Sequence, residues 1–398
     1  MRPFSLLQSF RTSWVPLAAF VASAALATGC ASSKEETSDQ AALQTSRPPQ
    51  FVVMGFDGSL NLAFWEESLA FAKTTTASGK PLSFTYFISG VYFIPDAKKA
   101  RYTAPHGLGV GKSAIGWGGD EAKIQSRVDW VDRAANEGHE IASHANGHFD
   151  GSAWTHDDWK SEFDQFDSIF FGAKAVKKLS AVRLEDIGGF RAPQLGHSTG
   201  LFQVLGERRY AYDTSKTAEA SYWPQKLGNV WNFPLAQLRI VGSGKKTLSM
   251  DYNFYFADSR GVADAANSGV YRKQMIDTYM AYFKGNYYGN RAPLHIGHHF
   301  SKWNGGAYWA AMQDFAKEVC GKPEVKCVTY KELVKYLEGL TPEQRADYRA
   351  GAFPKLARPT NGDSVRDVPE GFFEEPSEGE FVSDRDEAHE IEEESAAP

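Results

Sequence analysis

Between residues 47 and 340, five short apolar runs alternate with stretches of helical periodicity, and this alternation leaves few architectures open. The runs are Phe51-Val-Val-Met-Gly-Phe56, Leu82-Ser-Phe-Thr-Tyr-Phe-Ile88, Glu140-Ile-Ala-Ser143, Ile187-Gly-Gly-Phe190 and Pro293-Leu-His-Ile-Gly297. Each is strand-length and bounded by polar or turn residues. Residues 63–73, 159–171, 308–319 and 330–340 carry apolar side chains at three-to-four spacing, which predicts helices, with Thr329 placed to cap the last. Strand alternating with helix gives a parallel sheet, open or closed into a barrel. A span of roughly 290 residues suits one large α/β domain or two smaller ones, and it contains no internal repeat. Residues 92–120 break the rhythm with Pro95, Pro105, Gly107, Gly109, Gly111 and Gly116; they read as a long excursion at the rim of a site.

In such folds, function gathers at the C-terminal ends of the strands. Asp57 directly follows the first run; there it serves as a metal ligand, a general base or a turn residue. His144 and His148 lie four apart where the third run gives way to a loop, a spacing that lets two imidazoles reach one ion. Arg191 follows the fourth run and can orient a carboxylate and keep it ionised. His295, His298 and His299 cluster at the fifth. Strand alternation puts His295 and His299 on one face and His298 on the other, and one of the three is a candidate proton donor. Trp231 and Trp303 read as core aromatics or sugar-stacking platforms.

The ends of the chain differ from the body. Arg2 and Arg11 precede a short apolar segment, 15–27, which ends in Leu26-Ala-Thr-Gly-Cys30. This ending resembles a bacterial lipobox with Ala27 where leucine is usual, and it implies a signal peptide over 1–30 with lipidation of Cys30. Residues 31–49 read as a flexible tether. The residue after Cys30 is Ala31, not aspartate, which points to the outer membrane of a Gram-negative bacterium. Of the three cysteines, Cys320 and Cys327 remain, and in an exported chain they form a disulfide. Residues 355–398, including Glu374-Glu-Pro-Ser-Glu-Gly-Glu-Phe381, form an acidic tail that supplies much of the net charge of -6. No basic stripe or finger spacing marks a nucleic-acid partner.

Taken together the motifs of the body, 50–345, resemble polysaccharide deacetylases of carbohydrate esterase family 4, with a NodB-like domain, and in particular the chitin-deacetylase-like branch. Its T-F-D-D-A-V-N motif is matched by Gly55-Phe-Asp-Gly-Ser-Leu-Asn61, and its H-E-I-A-x-H-x-x-x-H motif by residues 139–148. Its R-A-P-Y-L motif is matched by Arg191-Ala-Pro-Gln-Leu195, with Tyr212-Asp213 and Trp223-Pro224 beyond, and its N-R-A-P-L segment by Asn290-Arg-Ala-Pro-Leu294, leading to His299. The resemblance implies a distorted (β/α) barrel and metal-dependent removal of acetyl groups from an N-acetylated glycan at the cell envelope. It implies Asp57 as base, Arg191 as its orienting partner, His299 as acid, and His144 and His148 as ligands of a divalent metal, zinc foremost. Backbone N–H groups near the third motif would help to hold the oxyanion.

One position departs from the pattern. The family's second aspartate, its third metal ligand, is Gly58 here, and the tyrosine of its third motif is Gln194. Two histidines with extra waters could hold the ion, Asp57 could turn to it, or Asp150 could swing in as substitute ligand. Otherwise catalysis is lost and the cleft only binds glycan. On this reading an aspartate restored at 58 tightens metal binding.

Overall fold

The structure, a computed structural model, describes residues 45–172 and 180–358. The signal segment with Cys30, most of the tether and nearly all of the acidic tail lie outside the described residues. The body opens with β1 (Gln50–Gly58), α1 (Leu62–Ala77) and β2 (Thr85–Ile88). The rim excursion follows, carrying the short hairpin β3 (Thr103–Ala104) and β4 (Gly109–Val110). Next come α2 (Glu121–Asn136), β5 (Glu140–Ser143), α3 (His156–Phe170), β6 (Gly189–Phe190), α4 (Thr199–Glu207) and β7 (Tyr212–Asp213). Five short strands succeed them: β8 (Thr217–Glu219), β9 (Gln225–Leu227), β10 (Val230–Asn232), β11 (Leu235–Arg239) and β12 (Lys246–Leu248). The chain then runs through α5 (Asp251–Ser259), α6 (Ser268–Tyr287), β13 (Leu294–His299), α7 (Trp303–Val319), β14 (Val325–Val328), α8 (Tyr330–Glu338) and α9 (Pro342–Ala350).

The main sheet runs β13-β1-β2-β5-β6-β7-β10-β9, with β14 pairing the first half of β1. Every pair is parallel except β10 with β9. A second sheet, β12-β11-β8, meets β13 through a parallel bridge from Met250 to Gly297. The result is a curled sheet with flanking helices, a distorted (β/α) barrel. All five apolar runs become strands, and all four periodic stretches become helices.

β1 shows why. A central parallel strand is covered on both faces, so it reads as a continuous apolar run. Val52, Met54 and Phe56 face outward into a core shared with Phe64, Trp65 and Leu69 of α1. Phe51 and Val53 face inward, where Phe87, Ala142, Tyr212, Phe233 and Tyr330 fill the interior. Leu333 and Leu337 of α8 pack into this inner cluster, and Thr329 caps that helix in a reciprocal bond with Glu332. Cys320 and Cys327 form the expected disulfide, pinning the end of α7 to β14. Among the described residues no helix is long and apolar enough to cross a membrane.

The same period of two aims the chemistry. Asp57 lies on the inward set of β1, at its C-terminal end, directly in register with His299 of β13. His295 also points inward, where its ring lies parallel to that of Tyr330 at 5.6 Å. His298 points outward between Phe56 and Tyr279.

His295 is buried, and among the described residues neither ring nitrogen has a hydrogen-bond partner. Burial, helped by the Arg191 charge, lowers its pKa to about 3. The unfolded chain therefore takes up a proton near pH 6.5 that the folded chain refuses, and this term costs stability as pH falls from 6.5 toward 3. At about 1.4 kcal/mol per unit the loss is of order 5 kcal/mol. His295→Phe is expected to flatten the acid side of a Tm-against-pH curve while leaving Tm at pH 8 equal or higher. An unchanged acid slope would rule this out.

Candidate active site

A cavity of about 160 Å³ opens at the C-terminal ends of β1, β2, β5 and β13. By the same measure a water needs roughly 10–15 Å³, so the space admits a compact organic group rather than a lone solvent molecule. Asp57, His144, His148 and His299 all line it, together with Gly58, Ser59, Ser89, Ser301, Trp303 and apolar rim residues Tyr92 and Ile115. The excursion 92–120 is thus a wall of the site, as its composition suggested.

Asp57 and Arg191 form an ion pair, Oδ1 to Nη1 at 2.7 Å, with exposures of only 3% and 0%. Arg191 is fixed in turn: Nε donates to Thr214 Oγ1 at 2.6 Å, Nη2 to the Tyr330 hydroxyl at 3.3 Å, and the guanidinium lies 4.4 Å above the Phe87 ring. Burial pushes the Asp57 carboxyl up from its ordinary value, against the pull of Arg191 and His299. In its ionised form such an aspartate is a stronger base than a surface carboxylate.

His299 has a partner that inspection of the sequence missed. Asp251, at the start of α5, places Oδ1 2.7 Å from His299 Nδ1, and its Oδ2 accepts the His299 backbone N–H at 2.9 Å. A carboxylate can only accept, so Nδ1 carries the hydrogen. Burial works to raise the Asp251 pKa, but the His299 and His298 charges overcome it and hold the carboxyl well below the usual range. Asp251 therefore stays ionised, able to fix the tautomer and stabilise an imidazolium when one forms.

The His144 side chain donates from Nδ1 to the Arg191 carbonyl at 2.8 Å, which leaves Nε2 as a lone-pair donor. Burial drops its pKa to about 3, so it is neutral. The His148 ring stands 5.1 Å from that of His144. Positive φ angles at Ala145 and His148 let the loop turn the second ring back toward the first. Gln194 steadies this loop, donating from Nε2 to the His148 carbonyl at 3.1 Å.

A divalent ion would find two nitrogen donors here, one fewer than the three protein ligands of catalytic zinc sites. Asp150 does not supply the third: its Oδ1 accepts the Ser152 N–H at 2.9 Å and the Ser152 hydroxyl as well, and Asp150 is not part of the cavity wall. Among the described residues no group of three or more His, Cys, Asp or Glu side chains is placed to hold a metal. The residues present do not make a complete metal site. A side chain added at position 58 would have room but a strained backbone. Gly58 has φ +101°, and although only Phe300 lies within reach of an added Cβ, an L-residue is strained there. The expectation that aspartate at 58 tightens metal binding thus meets a backbone cost.

Of the other residues matched by motif, Tyr212 donates to buried Glu140 at 2.9 Å and Asp213 accepts from Ser215, both as structural contacts. Trp231 packs in the inner core, whereas Trp303 lines the cavity, 5.2 Å from the His299 ring and stacked on Tyr255 at 5.3 Å. Positive φ at Asn304, Gly305 and Gly306 makes the turn that presents it.

Arg127 of α2 is a second residue the sequence did not expose. Fully buried, it donates to the carbonyls of Ser59 (3.0 Å), Leu60 (3.1 Å), Gly118 (3.3 Å) and Tyr92, tying the segment after Asp57 to the rim. Its removal strands several buried carbonyls at about 1–3 kcal/mol each. Arg127→Met is expected to lower unfolding stability in urea by at least about 3 kcal/mol; a loss under 1 kcal/mol would contradict this role.

No family model matches the sequence, and no curated protein matches it. Solved structures give distant matches. A protein from Mycobacterium smegmatis described as a polysaccharide deacetylase is 15% identical, with 79% of this chain and 99% of that chain covered and a TM-score of 0.43. A family 4 carbohydrate esterase from Streptomyces lividans is 11% identical over 69% and 90% of the two chains, TM-score 0.36. Peptidoglycan deacetylase PdaC from Bacillus subtilis is 12% identical over 76% and 96%, TM-score 0.37. Such distant likeness leaves function to be read from the residues of this site.

Proposed function

We propose that this chain is a hydrolase that removes acetyl groups from an N-acetylated glycan. The observation that carries the reading is the pairing across one cavity of a buried, arginine-held aspartate, Asp57, with a histidine backed by its own aspartate, His299 and Asp251. Such a pair of oppositely poised groups suits acyl transfer to water.

In this reading Arg191 engages one oxygen of Asp57, and the carboxylate takes a proton from a water in the cavity. The water oxygen bonds to the acetamide carbon, and the carbonyl becomes an oxyanion. As the C–N bond breaks, His299, entering as the imidazolium with Nδ1–H on Asp251, delivers its Nε2 proton to the leaving amine. Asp57 then passes the proton it took to solvent, solvent reprotonates His299, and acetate and a free amino sugar result. Asp251 holds the imidazole in place throughout. Trp303 offers an aromatic face for the sugar ring. His144 and His148 would supply two ligand nitrogens to a divalent ion, zinc foremost, and no step here depends on it.

Gly58 supports a second reading, a glycan-binding protein on the same fold that has lost turnover, since the donor set is one ligand short. Acetate release decides between them. The full chain is incubated with N-acetylglucosamine oligomers, acetylated peptidoglycan and acetylated exopolysaccharide, with and without added zinc or cobalt. Acetate from at least one supports the hydrolase; binding without acetate from any supports the second reading. The N-terminal features, a signal segment with Cys30 as lipid acceptor, support placement at the cell envelope, held to a membrane by lipid. Labelling with a radioactive fatty acid tests this: Cys30→Ser should lose the label.

A further inference from the structure

Two serines beside Asp57 have no role in the chemistry above, yet both face the cavity. Ser59 and Ser89 are wholly buried and line it, and among the described residues neither hydroxyl has a hydrogen-bond partner. The Ser301 hydroxyl, on the opposite wall, shares that condition. Buried hydroxyls are nearly always paired, so three unpaired ones around a single cavity point to a partner that enters it.

Their positions are built rather than incidental. Ser89 follows β2; its N–H donates to the Gly58 carbonyl at 3.3 Å, and the His144 N–H donates to the neighbouring Ile88 carbonyl at 2.9 Å. Ser89 therefore sits between the strand end bearing Asp57 and the one bearing His144. Ser59 has φ 142°, directly after Gly58 at +101°, a conformation that L-residues rarely adopt. It is held there through its carbonyl, which accepts from Arg127 Nε and Trp65 Nε1, both at 3.0 Å. Strain maintained by two buried donors is typical of a residue kept for its side chain's direction.

We infer that Ser59 and Ser89 form a subsite for an uncharged sugar hydroxyl, next to the acetamide that reacts. A serine hydroxyl both donates and accepts, as a ring hydroxyl does. The rim residues around the pair, Leu60, Tyr92 and Ile115, carry no charge, and the one carboxylate nearby is already matched by Arg191. The inference rests on the glycan reading above and names the part of the glycan that the pair recognises.

The test measures binding of an N-acetylglucosamine tetramer by calorimetry to the full chain carrying Asp57→Asn, which blocks turnover. The comparison is with the same chain carrying Ser59→Ala and Ser89→Ala as well. The double replacement should weaken binding about tenfold, with Tm in the absence of sugar equal or higher, because unpaired hydroxyls are removed. Equal affinity would overturn the inference, since the hydroxyls would then serve only ordered water. Weaker binding with a lowered Tm would also overturn it, since the hydroxyls would then act within the protein. No binding by the parent would overturn the glycan reading itself.

Discussion

Asp57→Asn should reduce acetate release on the order of 10²–10⁴-fold while the protein remains folded, the range expected when a general base is lost. Asparagine keeps an oxygen to accept from Arg191 Nη1 and fits the same volume, so the 2.7 Å contact can persist. What it cannot do is take a proton from water. The stability cost is held down because the buried guanidinium keeps its bonds to Thr214 and Tyr330. Asp57→Ala is the contrasting case. It strands the Arg191 charge in the interior, at about 3–5 kcal/mol. Activity should be lost in both variants, whereas urea unfolding should separate them. If Asp57→Asn retains activity within tenfold, Asp57 is not the base.

Asp251→Asn should be nearly as damaging to turnover, roughly 10²–10³-fold. The 2.7 Å bond to His299 Nδ1 fixes which nitrogen carries the hydrogen, and an amide offers a donor where a carboxylate accepts. A flipped tautomer would move the hydrogen from Nδ1 to Nε2 and leave no carboxylate behind the ring to stabilise the imidazolium that must donate. The asparagine oxygen can still accept the His299 backbone N–H, so the strand end should hold its position. Loss of kcat with little change in KM is expected. A fall in KM affinity alone, with kcat intact, would make Asp251 a structural residue.

Much of this site is legible in the sequence because period-two alternation is a strong local signal. Asp57 and His299 lie just beyond apolar runs, and β1 and β13 put them in register. His295 and His298 divide between the two faces as strand alternation requires. Thr329 caps its helix, and Cys320 pairs with Cys327, because both depend on neighbours close in the chain.

What escaped is non-local. Asp251 is 48 residues from His299 and opens a helix rich in aromatics, where a lone acid reads as solvated surface. Arg127 reaches a carbonyl 68 residues away from within a helix whose spacing suggests an exposed arginine. Asp150 is engaged for the opposite reason: Ser152, two residues on, donates to its Oδ1 in a local turn. The positive φ at Gly58 and the strain at Ser59 are likewise invisible in sequence, since they arise from how the strand end is clamped to the rim.

The most direct measurement follows the oxygen atom. Turnover of an N-acetylglucosamine oligomer in water enriched with oxygen-18 should place one labelled oxygen in each acetate released, with one free amine formed per acetate. The label should vanish together with acetate in Asp57→Asn. Acetate formed without the label, or no acetate from any N-acetylated glycan, would contradict a site in which Asp57 activates water and His299 protonates the amine.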